Sequence, residues 1–300
     1  MYYEQELTQA EIAKQMQLSR PTVGKMLNRA KEWGIVRIEI YSPLENVDLV
    51  LNQLQGLFNL QGGLVVPTTS TDENFVENLL FSQGALYVEG FFPDITTIGL
   101  GWGYAVGSFV QKLTVKGPKD RFSGKVFPIV GSSSDPSQWY QPNEFVRILG
   151  ENIGFEPLFL HAPAFPLPQE NQELFTRTIE YQNISALWSD IDAVIVGIGS
   201  YPSVPDQATA ARFGDLLQEK EAVGMLATYF FDRQGSIITS ENDLVIRIPL
   251  PQLRNAKRVI AIATGLSKVD SIIGALKTGL ITHLITDERT ARDVISSARN

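Results

Sequence analysis

Residues Leu7 to Gly34 read L-T-Q-A-E-I-A-K-Q-M-Q-L-S-R-P-T-V-G-K-M-L-N-R-A-K-E-W-G. The pattern predicts two helices joined by a tight turn. Thr8 is placed to cap the first, with Glu11 three residues on, the T-x-x-E spacing of a capping box. Ile12, Ala13 and Met16 follow at helical spacing. Gln17 and Leu18 carry the turn. Ser19 caps the second helix, and Pro21 falls in its first turn, where a missing N–H costs little. Val23, Met26, Leu27 and Ala30 form the expected buried stripe, and Gly34 ends the helix. Arg20, Thr22, Lys25, Asn28 and Arg29 remain on the exposed face. This is the layout of a helix-turn-helix, whose second helix enters the major groove while the first, here from Gln9, crosses the backbone. Arginine and lysine match guanine edges, and threonine and asparagine can serve other bases. The expected DNA-contacting set is Gln9, Ser19, Arg20, Pro21, Thr22, Lys25, Asn28 and Arg29. The competing reading is a pair of ordinary amphipathic helices with a solvated face. Against it stand the turn length, the Arg-Pro-Thr start, and five basic residues against one acidic between Ser19 and Arg37.

Working outward, Ile35–Tyr41 alternates Val36, Ile38 and Ile40 with polar positions and predicts a half-buried strand, a wing that brings Arg37 near phosphate. Ser42-Pro43 breaks the pattern and sets an expected boundary: 1–42 a helix-turn-helix domain, 43–300 a larger domain. A helix-turn-helix needs a further helix to close its core, and the residues before Leu7 are too few for one. Either the start, with its leading helix, is truncated, or a partner subunit or the large domain supplies the cover.

The chain has 300 residues, 44% hydrophobic and 19% charged, which suits a small domain followed by a large one. The net charge of −8 is unexpected for a DNA binder until it is divided. Residues 1–40 carry six basic and five acidic side chains, so the acidity belongs to the remainder. An acidic body helps keep that part off the duplex. No apolar run approaches the ~20 residues of a membrane span, and no export signal opens the chain. There is no cysteine, which excludes disulfides and thiolate metal sites and suits a cytoplasmic protein. The two histidines, His161 and His283, exclude a histidine-rich zinc site. His283, within L-I-T-H-L-I-T, reads as structural. No cofactor and no metal are expected.

Residues 44–58 form an amphipathic helix, either a spacer or a packing helix of the large domain. Beyond it, short apolar runs at 63–67, 96–100, 125–130, 156–160, 192–199, 258–263 and 283–286 alternate with helical stretches at 73–90, 103–113, 143–153, 206–221, 267–279 and 287–298. The alternation predicts an α/β domain with a mostly parallel sheet and helices on both faces. In such sheets ligands bind beyond the carboxyl ends of the strands. Those ends carry Gly101-Trp102-Gly103-Tyr104, a polar loop with Ser132, Gln141 and Asn143, Gly199-Ser200, and Thr264-Gly265-Leu266-Ser267-Lys268. A lysine in a first helical turn opposes the helix dipole, and an anion shared with the free amides would offset that. Lys268 is thus the expected phosphate contact in a cleft suited to a small phosphorylated polyol. No acid–base or nucleophile constellation can be assembled from spacing.

The N-terminal stretch, followed in order by I-G-L-G-W-G (98–103), V-F-P-I-V-G (126–131), D-A-V-I-V-G-I-G-S (192–200), F-F-D-R-Q-G (230–235), I-A-T-G-L-S-K (262–268) and L-I-T-D-E-R-T-A (284–291), resembles the SorC/DeoR-type sugar-binding transcriptional regulators over essentially the whole chain. The resemblance implies a bacterial regulator of carbohydrate use that binds operator DNA as a dimer or tetramer. Its large domain would have the fold of ribose-5-phosphate isomerase and glucosamine-6-phosphate deaminase, turned into a sensor of phosphorylated sugars. The family's phosphate site would map onto Gly101–Ala105 and Lys268, and its sugar-contacting glutamine onto Gln141. Tyr104 and Ala105 stand where relatives usually have threonines, and Gly224–Ala227 lacks an acidic residue usual there. Two further readings stay open: an enzyme acting on sugar phosphates, and a ligand-free scaffold with the cleft blocked by Tyr104 and Trp102.

Overall fold

The computed structural model describes residues 2, 7–33, 47–68, 70–114, 122–133, 137–166, 169–202, 212–241 and 243–299. Gly34, the expected wing with Arg37, the boundary at 42–43 and the first part of the expected helix at 206–221 lie outside these residues. The chain divides into two compact units, Met1–Leu44 and Glu45–Asn300.

In the small unit, α1 (Gln9–Gln15) and α2 (Arg20–Glu32) are joined by a four-residue turn in which Gln17 takes φ 53°. The Thr8 capping box forms: the Glu11 amide donates to Thr8 Oγ1 at 3.3 Å, and the Thr8 amide donates to the Glu11 carboxylate at 2.8 Å. The Thr22 amide donates to Ser19 Oγ at 3.2 Å, which caps α2 as expected. The buried contact comprises Ile12, Ala13 and Val23, with Leu7 and Leu27 packed against it. Met26 departs from the expected stripe and is 52% exposed. At 100° per residue it lies on the far side of Val23 from Leu27, outside the arc that α1 covers.

In the large unit, all seven expected apolar runs become strands of one parallel sheet. They are β1 (Gly62–Val66), β2 (Thr97–Leu100), β3 (Lys125–Pro128), β4 (Glu156–Pro157), β5 (Ala193–Ser200), then β9 (Arg258–Ile262) and β10 (His283–Asp287). Their order is β1-β10-β9-β5-β2-β3-β4. Both faces are covered, which is why the strands read as continuous apolar runs. Within β5, Ala193 and Ile195 face one apolar layer and Val194 and Val196 the other. On the first face lie α4 (Glu73–Glu89), α5 (Tyr104–Lys112) and α6 (Pro142–Ile153). On the second lie α3 (Val47–Phe58), which buries Val50 and Leu54, with the helices at Val269–Lys277 and Glu288–Arg299. The helix predicted over 44–58 is thus a packing helix of the large unit.

Two parts of the topology were not expected. Helices α7 (Gln169–Thr176) and α8 (Ile179–Leu187) precede β5. After β5 and α9 (Leu216–Glu219) come β6 (Ala222–Leu226), β7 (Tyr229–Asp232) and β8 (Ile237–Ile238), an antiparallel extension. The remaining α-helices among the described residues are α10 (Leu250–Asn255), α11 (Val269–Lys277) and α12 (Glu288–Arg299). Strand β5 pairs in parallel with β2 through Ile195 and with β9 through Gly197, then pairs antiparallel with β6 through Ile198–Ser200. His283 is structural as expected: it is buried, its Nδ1 lies 2.8 Å from Thr282 Oγ1, and its ring packs edge-on to Phe91.

The amino-terminal edge of the sheet is pinned by Asp192, 5% exposed. Its carboxylate accepts from the Thr96 and Thr97 amides at 2.8 and 3.1 Å and from Lys257 Nζ at 2.6 Å. Burial opposes ionisation, but the Lys257 ammonium and the Thr96 donors outweigh it and hold the carboxyl at about 2. A depressed carboxyl contributes stability that is full above the unfolded value near 4 and is lost as pH falls through the folded one. Urea melts should therefore show about 2 kcal/mol lost between roughly pH 4 and pH 2 in the wild type. In Asp192→Asn that loss should be absent and stability at pH 7 already reduced; an unchanged acid limb would refute the assignment.

Candidate effector cavity and nucleic-acid interface

The strands of the main sheet are parallel, so β2, β5 and β9 end on one edge, and there the large unit opens a cavity of about 450 Å³. Its volume is that of a site for a small metabolite. One wall is the loop after β2: Gly101, Trp102, Gly103, Tyr104 and Ala105. A second is β5 itself from Val196 to Ser200, continuing to Tyr201 and Pro202. The β6–β7 turn adds Met225, Ala227 and Thr228, Tyr140 closes one side, and Ser267 and Lys268 come from the segment after β9.

Two glycines give this edge its shape. Gly103 (φ 111°) is the N-cap of α5, and Gly265 (φ 109°) precedes the short turn that leads into α11. L side chains rarely adopt such values. Neither α5 nor α11 has a side-chain cap, but the Val269 amide at the start of α11 donates to Leu266 O, so the uncapped amides at this cavity are those at the start of α5. Helix starts of this kind attract anions. Lys268 itself is the N-cap residue of α11, one position before the first turn in which it was expected. Burial pushes its ammonium below the ordinary lysine value, while the Glu77 carboxylate pulls it back. A cation kept partly from water beside uncapped amides gains most from an anionic ligand.

Tyr104 does not close the cleft. It is 47% exposed, its hydroxyl donates to Glu77 Oε2 at 3.0 Å, and its ring packs edge-on to Trp139 and Phe81 at 5.0 and 6.1 Å. Burial and the Glu77 hydrogen bond both raise its phenol pKa, so it stays neutral. Trp102 is buried against Tyr140 and Phe165. Of the expected effector residues, Gly101, Trp102, Gly103, Tyr104, Gly199 and Lys268 are brought together, and three are not. Asn143 spends its amide on the Leu160 backbone, giving to the carbonyl at 3.1 Å and accepting from the N–H at 3.0 Å. Gln141 Nε2 donates to the Ser133 carbonyl at 3.2 Å, and Ser132 bridges to Pro163. All three support the polar loop and do not line the cavity. Among those missed were Tyr140, Ser200, Tyr201, Pro202, Met225, Ala227, Thr228 and Ser267; of these Ser200 and Ser267 lay in stretches flagged by their strand-end position.

In the small unit Ser19, Arg20, Pro21, Thr22, Lys25, Asn28 and Arg29 are all exposed, and Gln9 is half-buried. Lys25 lies about 200° around the helix from buried Val23. The Ser19 hydroxyl is engaged by the cap and by Thr22 Oγ1 at 2.8 Å, and the Arg29 guanidinium lies 4.4 Å from the Trp33 ring centroid. Arg20, Lys25 and Asn28 thus present the polar face. Among the described residues no group of acidic, histidine or cysteine side chains could hold a metal, and no helix is long and apolar enough to cross a membrane.

Residues 42–296 match the Sugar-bind family, a sugar-binding domain, and residues 1–33 match Sigma-70, region 4. The sorbitol operon regulator of Klebsiella pneumoniae is 31% identical over 97% of this chain and 94% of its own length. The deoxyribonucleoside regulator of Bacillus subtilis is 28% identical over 99% of this chain and 95% of its own. The crystal structure of the full-length Klebsiella sorbitol operon regulator superposes with a TM-score of 0.80 at 29% identity, covering 98% of this chain and 95% of that one.

Replacing Gly103 with alanine forces a β-carbon into a backbone region that costs about 1–3 kcal/mol. The variant should melt correspondingly lower although no atom lies within 4 Å of the added carbon. An unchanged melting temperature would mean that the loop relaxes without cost.

Proposed function

The chain belongs to the SorC/DeoR-type sugar-binding transcriptional regulators, and from that premise we propose that its large unit senses a small sugar or sugar phosphate and thereby controls DNA binding at a carbohydrate-utilisation operon. The observation that carries the effector half is the meeting of Lys268 with the uncapped start of α5 at one cavity. Two sources of positive potential converge there, and a phosphomonoester is the ligand that uses both. Ser200 and Ser267 are left for sugar hydroxyls, since the Thr228 hydroxyl is taken by Ala227 O and Arg247. We read the site as a sensor and not a catalyst: its described lining residues include no carboxylate and no histidine to act as acid or base.

The small unit is proposed to bind operator DNA through the amino-terminal part of α2, with Arg20, Lys25 and Asn28 at base edges and Gln9, Ser19, Pro21, Thr22 and Arg29 fixing register. Residues 1–42 would serve as the DNA-binding domain and 43–300 as the effector and oligomerisation domain of a cytoplasmic homo-oligomer. Regulation is then a coupling free energy between the two sites.

Two experiments test this. In a melt panel of sugars, polyols and their phosphates, one phosphorylated compound at ~100 times its dissociation constant should stabilise the protein by about 2.7 kcal/mol. Lys268→Ala should remove the shift, and wild-type affinity should weaken as pH rises through the depressed lysine value. If an unphosphorylated sugar works equally well in the variant, the anion reading is wrong. Separately, on a duplex from upstream of its own operon, Arg20→Ala or Lys25→Ala should cost about 1–3 kcal/mol of specific binding where the side chain pairs with a base. Loss of a phosphate contact should lower the log–log salt slope by about 0.9. Unaltered affinity and slope in both variants would remove α2 from the interface.

A further inference from the structure

We infer that Arg247 is a positioning residue that holds one wall of the effector cavity, the turn between β6 and β7, without touching the ligand. The inference rests on the reading of the cavity as the effector site.

Leu226 pairs with Tyr229, so only Ala227 and Thr228 connect the two strands. Their φ values are 47° and 66°. Two-residue hairpin loops with positive φ at both positions are normally built from Asn-Gly or Asp-Gly. Alanine disfavours that region, and a β-branched threonine does so strongly. Both residues are nonetheless buried and both line the cavity.

Arg247 supplies the restraint. Its Nη1 donates to the Thr228 carbonyl at 2.6 Å and to Thr228 Oγ1 at 3.2 Å, and Thr228 Oγ1 donates to the Ala227 carbonyl at 2.6 Å. Its guanidinium stacks 3.5 Å from the Tyr229 ring centroid, and Tyr229 OH donates to the Ile248 carbonyl at 2.9 Å. Nη2 pairs with Asp243. The arginine is itself anchored to the end of β3: the Ile248 amide donates to Ile129 O at 2.7 Å, and the Gly131 amide donates to Ile246 O at 2.9 Å. A rigid strut thus runs from the parallel sheet to the turn.

The Arg247–Asp243 pair is not well explained as a stabiliser. Both side chains are less than 10% exposed, and Asp243 Oδ1 is buried with no hydrogen-bond partner among the described residues. Incompletely satisfied buried pairs seldom repay their desolvation. Position is what the pair contributes. The turn fixes the register of β6 on β7, with Met225 opposite Phe230, and β6 so held lies along β5 with Met225 opposite Gly199 and Gly224 opposite Ser200, where Met225 and Ser200 line the cavity. An unprimed turn would splay β6 from β7.

The test removes both charges at once, Asp243→Asn with Arg247→Met, so that no lone charge is left buried. A second protein adds Ala227→Asn and Thr228→Gly, a turn that needs no strut. Amide exchange is followed by mass spectrometry over 222–232, and melting is compared in inorganic phosphate and in chloride of equal ionic strength. The double variant should exchange about tenfold faster at the turn, with β2 and β9 unchanged, and should lose the phosphate-specific stabilisation. The Asn-Gly turn should restore both. Unchanged exchange, or a loss that the Asn-Gly turn does not restore, overturns the assignment of Arg247. If the wild type shows no phosphate-specific shift, the anion site fails instead, and the exchange comparison alone decides whether Arg247 holds the turn.

Discussion

Strand β5 hydrogen-bonds to three other strands along eight residues, and that change of partner shapes the ligand-binding end of the large unit. From Ala193 to Ile195 it is a central strand between β2 and β9, and β9 stays paired with it through Gly197. A central strand cannot end in the interior with bare amides and carbonyls, because each buried unpaired group costs on the order of 1–3 kcal/mol. Ile198–Ser200 meet this requirement by pairing with β6. The antiparallel hairpin is thereby carried over the carboxyl edge of the sheet, where it becomes a wall across from the loop after β2. A parallel sheet alone would leave an open crevice at this edge; the hairpin turns it into a cavity.

The two ends of the sheet are treated differently. At the amino end Asp192 is saturated with partners, two threonine amides and a lysine, and its ionisation stabilises the fold. At the carboxyl end the polar groups are left incomplete. Lys268 is partly desolvated, and the start of α5 has no side-chain cap. Unmet positive potential at one edge of an otherwise satisfied sheet is the physical form of a binding site for an anion. The small unit follows a related logic at its surface. Its apolar contact is small, and its second helix turns Arg20, Lys25 and Asn28 to solvent, while most of the acidity resides in the remainder of the chain.

Much of this was legible in the residues. The capping box at Thr8 and Glu11, the Ser19 cap and the polar face of α2 are local: hydrogen bonds over three residues and a 3.6-residue period need no distant partner. The seven parallel strands were legible because strands buried on both faces must be apolar throughout. Lys268 and the Gly101–Tyr104 loop were legible because ligands in such sheets gather at strand ends. The hairpin was not. Its strands are short, its turn is Ala-Thr where Asn-Gly would announce it, and its conformation is imposed by Arg247, nineteen positions beyond Thr228. Asn143 and Gln141 were misplaced for a similar reason. A side-chain amide looks the same in sequence whether it serves a ligand or a backbone, and only the fold brought Leu160 within reach of Asn143.

The sequence by itself determined the helix-turn-helix, the parallel α/β sheet and the edge of that sheet where a ligand would sit, since each follows from local periodicity, capping and strand-end chemistry. Tertiary structure alone decided which polar groups reach the cavity, that Tyr104 stands aside on Glu77, and that an arginine far along the chain sets the turn. Those outcomes depend on which distant backbone groups compete for each donor and acceptor, and that competition is settled only when the strands are paired.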